Sequence, residues 1–209
     1  MKICLTYAFF LTTLVWGGAA IGANESAQEI LTCDSPSCES VAKKIEYQYE
    51  KPDKSITLKT EHFSIEIPDK PIRKIAASQG DIMILYRDDQ LLYLSENRGP
   101  DIAGSSPEMA YQYPEIIFTK TPKDTLPKST EEQLFWKVAL ASKPFYLQDA
   151  SEISYSTNDN LTYYLSNTHE LGFSARGMVT HSKYKNFFLV LEAKQMDLTP
   201  FKKVVYSVK

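Results

Sequence analysis

From residue 45 the chain alternates: Ile45, Tyr47 and Tyr49 are separated by Glu46, Gln48 and Glu50. A period of two places three apolar side chains on one side of an extended strand. The pattern continues through Ile56 and Leu58, then Phe63, Ile65 and Ile67 up to Pro68. Residues 82–86 and 91–94 are apolar runs joined by Arg87-Asp88-Asp89-Gln90, which predicts a hairpin. Residues 96–128 are rich in Gly, Pro and Ser, with only Ile116-Ile117-Phe118 suggesting a short strand. They read as a long loop, uncommon inside a compact domain and often functional.

The pattern then changes period. Ser129 can cap a helix, with Glu132 three residues on completing a capping box. Leu134, Phe135, Val138, Ala139 and Ala141 share one face at helical spacing, and Pro144 marks the end. Strands return at 153–155 and 161–165, flanking the turn-rich Ser156-Thr157-Asn158-Asp159-Asn160, and again at 178–181 and 187–193. The chain closes with Thr199 as a cap, Pro200 at the first helical position, and Phe201, Val204, Val205 and Val208 on one stripe.

These elements predict an α+β fold: a mostly antiparallel sheet with two helices packed on one face. The segment Asn186-Phe187-Phe188-Leu189-Val190-Leu191-Glu192-Ala193, followed by Phe201-Lys202-Lys203-Val204-Val205-Tyr206-Ser207-Val208, resembles the last strand and closing helix of the PsbP-like fold. Phe63-Ser64-Ile65-Glu66-Ile67-Pro68 is similar to that family's early strand ending in Pro. The resemblance implies an adaptor or binding scaffold and assigns no active residue.

Ahead of the domain, Lys2 precedes a charge-free apolar run over residues 3–16, then Gly17, Gly18, Ala19 and Ala20. That order predicts a signal peptide over 1–23, cleaved near Gly22 or Ala23, since a membrane-spanning helix needs about 20 apolar residues. Residues 24–44 read as an N-terminal arm and 45–209 as a single domain. Removing 1–23 takes away Lys2 and no acid, moving the net charge from −3 to about −4. That balance argues against a nucleic-acid partner and for a chain with no stable membrane insertion after cleavage. Cys33 and Cys38 remain, and an oxidising compartment, periplasmic or secreted, favours a disulfide around Asp-Ser-Pro-Ser. A metal pair is the alternative, without further ligands close in sequence.

Candidate chemistry is sparse. His62, His169 and His181 are scattered, without a second His or Cys at metal spacing. Ser174 lies between Gly172 and Gly177, one residue too far apart for a nucleophile elbow. Asp88, Asp89 and Asp159 sit where turns want short polar side chains. Eight glycines and no phosphate loop predict no nucleotide, and no cofactor or metal is expected. Asn24 and Asn160 match a glycosylation pattern that carries no meaning in a bacterial chain, which the leader suggests. Tyrosine is the one excess, at 13 residues, and Tyr111-Gln112-Tyr113-Pro114 in the long loop are the candidate partner-binding residues.

The expected function is therefore that of a non-catalytic exported protein binding a protein partner in the cell envelope, such as an inhibitor or immunity protein that neutralises a toxic effector. Two alternatives stand beside it. One is a periplasmic carrier of a small apolar or lipid-like ligand, with a pocket under the 129–141 helix. The other is a hydrolase using Ser174 with His169 or His181.

Overall fold

The computed structural model describes residues 32–51, 54–99, 106–167 and 172–209. The predicted leader, the start of the arm and His169 lie outside them. Among the described residues there are ten strands: β1 (Lys43–Lys44), β2 (Ser55–Lys59), β3 (Ser64–Pro68), β4 (Ile72–Ser78), β5 (Asp81–Tyr86), β6 (Leu91–Asn97), β7 (Glu152–Asn158), β8 (Leu161–Asn167), β9 (Ala175–His181) and β10 (Phe188–Lys194). Four helices accompany them: α1 (Gln112–Thr119), α2 (Thr130–Ala141), α3 (Lys143–Leu147) and α4 (Leu198–Tyr206). The protein is α+β, as predicted.

Eight strands form one sheet in the order β1-β7-β8-β9-β10-β6-β5-β4, and β2-β3 form a separate ribbon. Every pairing is antiparallel except the short parallel contact of β1 with β7, at Lys43–Ser154 and Lys44–Tyr155. The β4–β5 hairpin turns through Gln79 (φ 48°) and Gly80 (φ 92°), the two positive angles that a type I′ turn requires. Strand β4 forms the far edge. Its residues Arg73, Lys74, Ala77 and Ser78 are exposed, so it lacks the apolar alternation that marks a half-buried strand.

The helices do not share one face, and this corrects the expected arrangement. On the first face α4 and the β2-β3 ribbon lay Phe63, Ile65, Ile67, Phe201, Val204 and Val205 against Ile84, Leu92, Tyr163, Leu165, Val179, Leu189 and Leu191 of the sheet. On the second face α1 and α2 bring Ile116, Ile117, Phe118, Phe135, Ala139 and Leu140 onto Tyr164, Met178, Phe188 and Val190. The cause is that β9 and β10 are buried along both sides, so each side needs a cover. Each fully buried Val, Leu or Phe in these layers contributes about 1.5–3 kcal/mol.

Two local expectations also change. The 96–128 stretch is not a plain loop: it holds the end of β6, a 3-10 turn at Pro107–Met109, and α1, where Ile116-Ile117-Phe118 are helical rather than a strand. Pro114 sits in the first turn of α1, where its missing N–H is no loss. Residues 45–50 keep their period-two burial without joining a sheet. Tyr47 instead stacks on Tyr163 at 5.2 Å and donates its hydroxyl to the Tyr206 carbonyl at 3.0 Å. The α2 helix starts as expected, Ser129 Oγ accepting from the Glu132 N–H.

Candidate functional site

An open cleft of about 380 Å³ lies between the turn that precedes β3 and the β4–β5 turn. Thr60, Glu61 and Glu96 form one wall, and Ala77, Gln79, Gly80 and Asp81 the other. Beside it, His62 is fastened to β6: its backbone N–H donates to Glu96 Oε1 at 2.9 Å, and its Nδ1 lies 2.7 Å from Glu96 Oε2. Phe187 stacks on the imidazole at 4.2 Å, and Tyr184 meets it edge-on at 5.1 Å. Burial raises the Glu96 carboxyl, but hydrogen bonds from Thr60 and His62 outweigh it and hold it below its ordinary value. Glu61, His62 and Glu96 each bring a ligand-type atom within 4.8 Å of the others. The arrangement is a charged carboxylate orienting an imidazole at the rim of an open cleft.

The second notable surface is on the sheet itself. The core beneath α1 and α2 draws side chains from β7 to β10 and, among the described residues, none from β4, β5 or β6. Met83, Leu85, Leu91 and Tyr93 point to that same side and are half-buried. They pair as Met83–Tyr93 and Leu85–Leu91 across β5 and β6, making a continuous apolar strip. Toward β4 the strip ends at Ala76, the partner of Met83, beside Lys74, the partner of Leu85; Ile75, 56% exposed, pairs with Ile84 and faces the opposite side. In a two-residue hairpin the pair flanking the turn is hydrogen-bonded and the pairing alternates from there. Counting from Ser78–Asp81, Ile75 and Ala77 direct their N–H and C=O groups away from β5.

The residues singled out in the sequence scatter. Tyr113 is 7% exposed, stacked on Phe188 at 5.5 Å, and Pro114 is buried, so neither offers surface. Tyr111 and Gln112 are half-buried, with Lys185 Nζ 5.8 Å above the Tyr111 ring. Ser174 shares its hydroxyl hydrogen between the carbonyls of Met196 at 2.8 Å and Ala193 at 3.2 Å. His181 Nδ1 accepts from the Lys183 N–H at 2.9 Å, and burial followed by the Lys183 charge lowers its pKa. Asp89 and Asp159 occupy turns at φ 62° and 50°. Asp88 and Asp89 pair with Lys70 at 3.3 Å and Arg73 at 2.7 Å. Cys33 and Cys38 form the disulfide, Cα atoms 5.7 Å apart. The space under α2 is filled by Phe135, Ala139, Leu140, Ile117 and Phe118.

Two buried cations had no signal in the sequence. Lys143 opens α3 with no exposed surface, donating from Nζ to the carbonyls of Ser40, at 2.7 Å, and Lys120. Burial lowers its pKa to about 8, against the attraction of Asp124 and Glu39. Arg176 holds Glu192 at 2.9 Å beneath α3 and stacks over Phe145 at 4.3 Å. Its Nη1 donates to the Phe145 carbonyl. Both charges fasten backbone, Lys143 by tying the arm to the helical layer.

Among the described residues, no helix is long and apolar enough to cross a membrane. Comparison with protein-family models, curated proteins and solved structures finds no match to the chain.

Proposed function

We propose that this chain is a non-catalytic, exported protein that binds a protein partner in the cell envelope, in the manner of an inhibitor or immunity factor. The observation that carries the reading is the helix-free half of the sheet: Met83, Leu85, Leu91 and Tyr93 half-buried beside an open β4 edge. An apolar strip that includes an aromatic ring, flanked by the charged Glu192 and Lys74, has the anatomy of a protein interface. The unpaired groups of Ile75 and Ala77 add the means for strand addition. The bulge between Ile72 and Lys74, with Arg73 exposed, blunts only the first part of that edge.

The ligand-carrier alternative has less support, because α2 rests on packed side chains. The hydrolase alternative has less as well, since the Ser174 hydroxyl is engaged by two carbonyls. Export rests on Lys2 and the apolar run of 3–16, and the PsbP-like resemblance rests on β10 followed by α4.

The test is retention of envelope proteins on the immobilised purified protein, with the retained partner identified and then titrated. Met83→Lys places a charge in the middle of the strip and should weaken partner binding at least about tenfold. Tyr111→Ala, remote in sequence from the strip, should leave it unchanged. Equal binding by Met83→Lys and the unaltered chain, with the fold intact by circular dichroism, rejects this surface.

A further inference from the structure

We infer that Glu61, His62 and Glu96 form a binding site for one divalent transition-metal ion of the zinc type. The three side chains reach a common point from two elements, the turn before β3 and the end of β6, with ligand-type atoms mutually within 4.8 Å. Bonds of about 2.0–2.2 Å to zinc place neighbouring ligand atoms roughly 3–4 Å apart. An ion held by both His62 and Glu96 must therefore open their 2.7 Å hydrogen bond, and the exposed Glu61 side chain must swing inward to complete the set.

The cleft selects the sign of the ligand. Glu61, Asp81 and Glu96 are among its lining residues, and among the described residues that lining contains no Lys or Arg. The Glu61 and Glu96 carboxylates bring negative charge to the opening, while Asp81 turns its carboxylate to Ser95 on the other side of the sheet. The imidazole selects the kind of cation: magnesium and calcium prefer oxygen donors alone, whereas one nitrogen with two carboxylates suits zinc. The geometry of the imidazole is already fixed, with Phe187 and Tyr184 packed against the ring and the His62 N–H on Glu96. Such preorganisation removes much of the ordering that a flexible surface cluster would need on binding an ion. The cleft's open side leaves water as the fourth ligand. The bound ion would tie the ribbon's connecting turn to β6, beside the β4–β5 turn that ends the partner-binding edge.

Zinc chloride is titrated calorimetrically into the purified protein after treatment with a chelator, alongside Glu61→Gln, His62→Gln and His181→Gln. One equivalent should bind, and the thermal midpoint should rise with it. Glu61→Gln and His62→Gln should each weaken binding by about tenfold or more, His181→Gln should not, and equal magnesium or calcium should fail to compete. Glu61 is exposed, so its substitution preserves the fold and remains informative if His62→Gln does not fold. Absence of a stoichiometric site, unchanged affinity in Glu61→Gln, or loss of zinc only in His181→Gln would each overturn the proposal. Partner capture by Met83→Lys is read separately, so the two proposals fail independently.

Discussion

Arg176 on β9 and Glu192 on β10 are direct cross-strand partners, and their side chains meet at 2.9 Å between Nε and Oε1 in a nearly dry layer. Burial raises the Glu192 carboxyl while the Arg176 charge pulls it down. Removing one partner leaves the other charged and buried, a loss of about 3–5 kcal/mol. Glu192→Gln and Arg176→Met should each lower the urea midpoint accordingly. The double variant Arg176→Met, Glu192→Leu should lose clearly less than the two singles together. Additive losses would show that the two charges are not coupled.

Lys143 gives the protein an alkaline signature. Its folded pKa, about 8, lies below the ordinary 10.5, so between those values the unfolded chain holds a proton that the folded chain has released. Stability from this group therefore rises with pH across that window, by at most roughly 3 kcal/mol. The buried Tyr86 and half-buried Tyr93, both raised to about 12, oppose the trend only above their ordinary value of 10. Denaturant midpoints measured from pH 7.5 to 9.5 should rise, and in Lys143→Met the rise should vanish. That variant also strands the Ser40 and Lys120 carbonyls, so its stability at pH 7.5 should not exceed that of the unaltered chain.

Gly177 of β9 lies directly against Val205 of α4. A Cβ there would stand 2.9 Å from Val205 Cγ2 and 3.4 Å from the Tyr164 carbonyl oxygen. Gly177→Ala should destabilise the fold by about 1–3 kcal/mol through displacement of Val205. Combining it with Val205→Ala should recover part of that loss, and thermal melts of the three variants decide it.

What the sequence made readable was local. Ser129 and Pro144 bracketed α2, and β5, β6, β7, β8 and β10 stood out as apolar runs bounded by turns. Strand β4 escaped because an edge with exposed Arg73, Lys74, Ala77 and Ser78 carries no apolar rhythm. Helix α1 escaped because Pro114 and its Gly- and Ser-rich approach read as loop, although a first helical turn accepts proline. The placement of helices on two faces had one usable sign: the uninterrupted apolar run 187–191 fits a strand covered on both sides better than one covered on one. Glu96 and His62 lie 34 positions apart, and only the pairing of the ribbon's turn with β6 joins them. The disulfide was legible from two cysteines five positions apart in a chain expected to reach an oxidising compartment.

The parallel pairing of β1 on β7 has a consequence for assembly. Growth of a filament by strand addition requires a free edge at each end of every subunit. Here Lys43 and Lys44 already occupy the middle of one rim, while the other stays available. With only two residues, β1 is too short an edge to template a further strand, so addition at the β4 rim would not be carried on from the opposite one.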